Sequence, residues 1–80
     1  MQSEEKHDDL YYHISRRLHC AIQSKALVLE VDALRDELAA RAIENPDHLR
    51  RQRLLIQAQR DEAERLRDFL TRTKVRAARS

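Results

Sequence analysis

The chain contains no glycine, and its single proline, Pro46, stands between Asn45 and Asp47. Glycine fills backbone positions of positive φ at low cost, so its complete absence excludes glycine-rich phosphate loops, nucleophile elbows and EF-hand loops. It also leaves the polypeptide with one strong punctuation mark. Asn is a favoured N-cap, Pro is preorganised for the first helical position, and Asp in the first turn complements the positive end of the helix dipole. One helix is therefore expected to end near Ile43 or Glu44, and a second to begin at Pro46.

On either side of that mark the composition is that of long helices: Ala, Glu, Lys, Leu and Arg make up 44 of the 80 residues. Leu, Ile, Val and Phe supply 19 of the 80, enough for an ordered chain but thin for a compact core. A core this small contributes about 3 to 5 kcal/mol, and natural domains of this size add disulfides, a metal or association. Cys20 has no second cysteine in the chain to pair with, which is the usual state in a reducing cytosol. The longest apolar run, Ala26 to Leu29, is far too short to span a bilayer. The opening residues carry Glu4, Glu5, Asp8 and Asp9 against Lys6, the reverse of a secretory signal. A cytoplasmic protein that does not insert in membranes is expected, with association supplying the missing stability.

The whole chain, 1–80, reads as one helical domain: a helix over about 4–44, a turn at 45–46, a helix over about 46–72, and a frayed basic tail over 73–80. With Ile14 at zero and about 100° per residue, Leu10, Tyr11, Ile14, Leu18, Ala21, Ile22, Val28 and Leu29 fall on one face. The next set, Leu27, Val31, Leu34, Leu38 and Ala42, falls nearly opposite, with Glu30, Asp32, Asp36 and Glu37 on the outside. The stripe thus changes sides near Ser24 to Leu29, far more abruptly than heptad drift allows. Either the first helix breaks near residues 23–26 and forms a three-helix bundle, or it continues and offers two faces to two neighbours. With no helix breaker between residues 10 and 44, the continuous helix is favoured. In the second helix Gln52, Leu55, Ile56, Gln59, Ala63, Leu66 and Leu70 share a face, with Leu49 and Phe69 at its edges. The expected fold is an all-α, two-helix antiparallel hairpin of coiled-coil type that associates further. Helix two is expected to cover the Leu27 to Ala42 stripe, with Leu34 and Leu66 in the core. That leaves Leu10, Tyr11, Ile14, Leu18, Ile22 and Leu29 as a partner-binding face.

Charge divides the chain. Residues 1–48 carry six Lys/Arg against ten Asp/Glu, while residues 49–80 carry ten against four. A hairpin therefore lays a basic helix along an acidic one. The same residues admit a second use: Arg50, Arg51, Arg53, Arg72, Lys74 and Arg76 are candidate phosphate contacts, since arginines in the opening turns oppose the helix dipole and need carboxylates such as Glu37 and Glu44, or phosphate. Asp61, Glu62, Glu64 and Asp68 interrupt the basic pattern, and no aromatic stacking platform accompanies it. His7, His13 and His19 recur every six residues, which turns each about 240° from the last, so no metal site is expected. Cys20 and His19 are adjacent and cannot face each other on a helix, and no pocket with convergent polar groups is evident. An enzyme, a cofactor and a small-molecule substrate are not expected.

The expected function is protein recognition through an apolar helix face, as an adaptor, a small chaperone or an inhibitor of a regulator, with another protein or a second copy as partner. The alternative is a dimeric nucleic-acid binder using the Arg-rich second helix and tail. In size and layout, two amphipathic helices hinged at Asn45-Pro46, the chain looks like the small hairpin co-chaperones of type III secretion needle subunits. That resemblance implies a helix-masking role and carries no residue assignments.

Overall fold

A computed structural model describes residues 12–76, in the order β1 (Tyr12–Ile14), α1 (Arg16–Ala40), α2 (Pro46–Thr71) and β2 (Thr73–Val75). The Asn45-Pro46-Asp47 signal acts as its chemistry requires. Asn45 adopts extended backbone, and its Oδ1 accepts from the N–H groups of Asp47 at 2.9 Å and His48 at 3.2 Å. Two of the first helical N–H groups, which have no partner within a helix, are thereby satisfied. At the other side of the turn, Ala42 and Ile43 donate to Ala39 and Ala40 carbonyls at 3.1 Å. This i to i−3 tightening closes α1 without any residue of positive φ, so the turn needs no glycine.

α1 runs without a break through residues 23–26, and the two helices pack against each other as an all-α antiparallel hairpin. The boundaries of the first helix differ from expectation. Its start is Arg16, with Ser15 Oγ accepting from the Leu18 N–H at 3.1 Å, and its last residue is Ala40 rather than a residue near 44. Residues 4–11 of the expected helix lie outside the described residues. Tyr12–Ile14, expected to be helical, instead form β1, and Thr73–Val75, expected to fray, form β2. The two strands pair in parallel, Tyr12 with Thr73 and Ile14 with Val75. Tyr12 N–H donates to Arg72 O and Arg76 N–H to Ile14 O, each at 2.9 Å. Two short strands are marginal by themselves. Here Ile14 is buried, and the Tyr12 ring stacks on Phe69 of α2 with centroids 5.7 Å apart.

The helix seam is built on small residues. Ala26, Ala33 and Ala40, seven apart, are 0%, 1% and 8% exposed, and face Ile56 at 6% and Ala63 at 2%. Ile43 and Leu49 pack on the Ala33, Ala40 and Ile56 cluster at the turn end. Alanine opposite alanine at Ala33 and Ala63, and alanine opposite a larger residue at Ala40 and Ile56, lets the backbones approach while filling the space between them. The register is marked by polar contacts across the seam. Gln59 Nε2 donates to Asp36 Oδ2 at 3.1 Å, Arg60 meets Glu37 at 2.7 Å, and Arg67 grips both oxygens of Glu30 at 2.6 and 2.7 Å. Gln59 Oε1 is buried without a hydrogen-bond partner among the described residues.

Candidate interaction surface

α1 is turned around relative to expectation. With Ala33 at zero and about 100° per residue, Ala26 and Ala40 fall within about 20° of the line towards α2. Glu30 and Glu37 fall near 40° to 60° on one flank of that line, and Asp36 near 60° on the other. The acidic residues expected outside therefore face the basic helix, apart from the half-buried Asp32, which lies beyond Asp36. Leu27, Val31, Leu34 and Leu38, expected in the core, fall at about 100° to 160°, on the side of α1 away from α2. They are 55%, 38%, 57% and 60% exposed. Val28 widens the same face and Cys20, also exposed, extends it one heptad towards β1.

The cause lies in the pairing of charge with size. α2 carries Arg60 and Arg67 beside its apolar seam, and only the alanine side of α1 brings carboxylates opposite them while giving Ile56 and Leu70 room. The Arg67 guanidinium, hydrogen-bonded to both oxygens, holds the Glu30 carboxyl below its ordinary range, and Glu30 in turn raises Arg67. Arg65 is raised in the same way by its neighbour Glu62 on the α2 surface.

The expected partner-binding residues are divided by the structure. Leu10 and Tyr11 lie outside the described residues. Ile14 is buried within the chain beside β2, so it serves the clasp formed by β1 and β2 and presents no surface. Leu18 is exposed, while Ile22 and Leu29 are half-buried. These three do not form one free stripe with Ile14. The large continuous face is Leu27, Val31, Leu34 and Leu38. Its 4-3-4 spacing was visible in the sequence; its solvent exposure was not, because four large aliphatic residues in a row usually mark a core.

The candidate phosphate contacts also separate. Arg50, Arg51 and Arg53 are exposed near the start of α2, and their side chains form no hydrogen bond or ion pair among the described residues, Glu37 being taken by Arg60. Arg72 and Arg76 donate to the main-chain carbonyls of Asp68 and His13, and Lys74 lies exposed on β2. A groove of about 560 Å³ near the turn includes Arg41, Arg53, Ile56 and the Glu37–Arg60 pair in its wall. Among the described residues no three His, Cys, Asp or Glu side chains come together, and no helix is long and apolar enough to cross a membrane. No family, curated protein or solved structure matches the chain.

Proposed function

We propose that the protein is a helical protein-recognition module whose docking face is the outer side of α1, centred on Leu27, Val31, Leu34 and Leu38. One observation carries this reading: the hairpin buries alanines and leaves its best heptad of large aliphatics in water. Exposed ion pairs contribute little, whereas burying a Leu or Val contributes about 1.5 to 3 kcal/mol. The Glu30–Arg67 and Glu37–Arg60 pairs therefore do not offset the hydration of four such side chains. A helix laid along the face recovers that difference, and a 4-3-4 spacing is the pattern that accepts a helix by knobs-into-holes packing. Masking or bridging another helix is the corresponding role, as in an adaptor, small chaperone or inhibitor.

The test is a photo-crosslinking amino acid placed at Leu34 and, as a control, at Gln57, an exposed position of α2, in cells that make the protein. Efficient crosslinking at 34 and little at 57 is expected. No product at 34 would refute the docking face.

A second reading, nucleic-acid binding, is favoured by Arg50, Arg51 and Arg53, whose side chains have no partner among the described residues. It is distinguished by nucleic acid that co-purifies and is displaced as salt rises.

A further inference from the structure

The proposed docking face has the pattern of a surface made to meet a second copy of itself in parallel. With Val31 and Leu38 at heptad positions a and Leu27 and Leu34 at d, the flanking g positions are Glu30 and Glu37 and the flanking e positions are Val28 and Arg35. In a parallel pair of helices, a g residue lies beside the e residue five positions on in the other chain. Glu30 of one copy then lies beside Arg35 of the other, and two-fold symmetry forms the contact twice. Arg35 is exposed, and its side chain has no ion-pair or hydrogen-bond partner among the described residues. Glu30 already holds Arg67, yet each of its oxygens retains a second acceptor site, so the carboxylate can bridge Arg67 and the second copy's Arg35. An antiparallel arrangement centred on the same four residues puts g beside g. Glu30 then faces Glu37 of the other copy, and Arg35 faces Val28. Beside these four residues charge therefore favours the parallel direction, and Val31 at a with Leu27 and Leu34 at d suits a two-stranded coil.

We infer that two copies of the chain associate through α1 in parallel and in register, with Leu27, Val31, Leu34 and Leu38 each stacked on its own counterpart. Both α2 helices then lie outermost, both turns lie at one end, and both strand pairs at the other. The inference rests on the docking face proposed above and adds the identity and direction of its occupant.

Cys20 supplies a built-in ruler. It lies seven residues before Leu27, at the same heptad position, and is exposed in the single hairpin. In the parallel dimer the two Cys20 thiols meet across the axis. In the antiparallel one they lie roughly 35 Å apart, at 1.5 Å per residue.

The experiment uses the purified, nuclease-treated full chain. Its native mass is measured by light scattering under reducing conditions, and diamide is then added. As the S–S bond forms, two thiols give up two protons and two electrons to diamide, which is reduced to the hydrazine. A dimer in the reduced state, converted nearly completely to a Cys20-linked dimer, is expected. Arg35→Glu should weaken the reduced dimer about tenfold, by turning both Glu30 contacts repulsive. Leu34→Asp should abolish it while helicity is retained, since residue 34 lies outside the hairpin seam. A reduced dimer that diamide does not link, or that tolerates Arg35→Glu, would overturn the parallel arrangement. A monomer at all concentrations would overturn self-association. The docking face itself would then be judged by photo-crosslinking at Leu34, where a product containing a different protein keeps that reading and refutes only this one.

Discussion

Enlarging one alanine of the helix seam should damage the hairpin more than removing a leucine beside it. Ala33 is 1% exposed, and the cross-helix register places it level with Ala63, itself 2% exposed. Neither side has room for an isobutyl group without separating the helices or forcing poor rotamers. Overpacking of this kind costs about 1 to 3 kcal/mol. For a chain of this length each kcal/mol lowers Tm by about 4 to 8 °C, so Ala33→Leu should melt roughly 5 to 20 °C below the parent. Leu34→Ala, one residue along at 57% exposure, should change the intrinsic stability of the hairpin by no more than about 0.5 kcal/mol. A conventional leucine-cored hairpin reverses both: Leu34→Ala would open a cavity costing about 2 to 5 kcal/mol, and Ala33→Leu would cover more apolar surface on the outside. Thermal melts followed by circular dichroism over a range of concentrations separate the cases. Any effect of Leu34→Ala should shrink on dilution, because it arises from association, while that of Ala33→Leu should persist. Parental melting of Ala33→Leu, or a large dilution-independent loss for Leu34→Ala, would refute the alanine seam.

Three further outcomes are expected. Asn45→Ala removes the acceptor for two N–H groups and should cost about 0.5 to 2 kcal/mol in denaturant unfolding, with Asn45→Ser recovering most of it. Because Arg67 lowers the carboxyl of folded Glu30 below its unfolded value, the stabilisation from this pair is complete above the unfolded value and is lost as pH falls through the folded one; Arg67→Leu should return the Glu30 titration, followed by carboxyl NMR, to the ordinary range. Ile14→Asp places a charge in the buried site beneath the clasp, so hydrogen exchange at the Tyr12 and Arg76 amides should accelerate greatly while the amides around Ala33 and Ala63 keep their protection.

The elements whose physics is local were legible in the sequence. Asn45-Pro46-Asp47 specified the turn and the start of α2, the lack of breakers specified an unbroken α1, and the charge asymmetry specified acidic beside basic helix. The seven-residue spacing of Ala26, Ala33 and Ala40 was equally present in the chain. It carried little weight beside Leu27, Val31, Leu34 and Leu38, because periodicity reports that a face is apolar and does not say which neighbour covers it. Choosing between two apolar faces of one helix depends on side-chain volume and on where Arg60 and Arg67 of the other helix find carboxylates. Both are properties of the pair. The strands were missed for a related reason: Tyr12–Ile14 and Thr73–Val75 have β-branched and aromatic content, but pair only because the hairpin brings positions more than sixty residues apart to one end. The candidate site followed the seam. With Ala26, Ala33 and Ala40 turned towards α2, the exposed apolar side chains of α1 run from Leu27 to Leu38 and not from Leu10 to Leu29.

The parallel direction of β1 and β2 has a mechanical consequence. Chain enters at the start of one strand and leaves at the far end of its neighbour, so tension applied through the flanking residues pulls the strands lengthwise past each other. All the ladder hydrogen bonds are then loaded together, with the Tyr12–Phe69 stack sharing the load. The helices behind them are arranged differently: drawn apart from their open end, they would peel turn by turn, each contact bearing the load alone. The three-residue clasp thus puts a shear lock in front of a zipper, and it must yield before any force reaches the alanine seam.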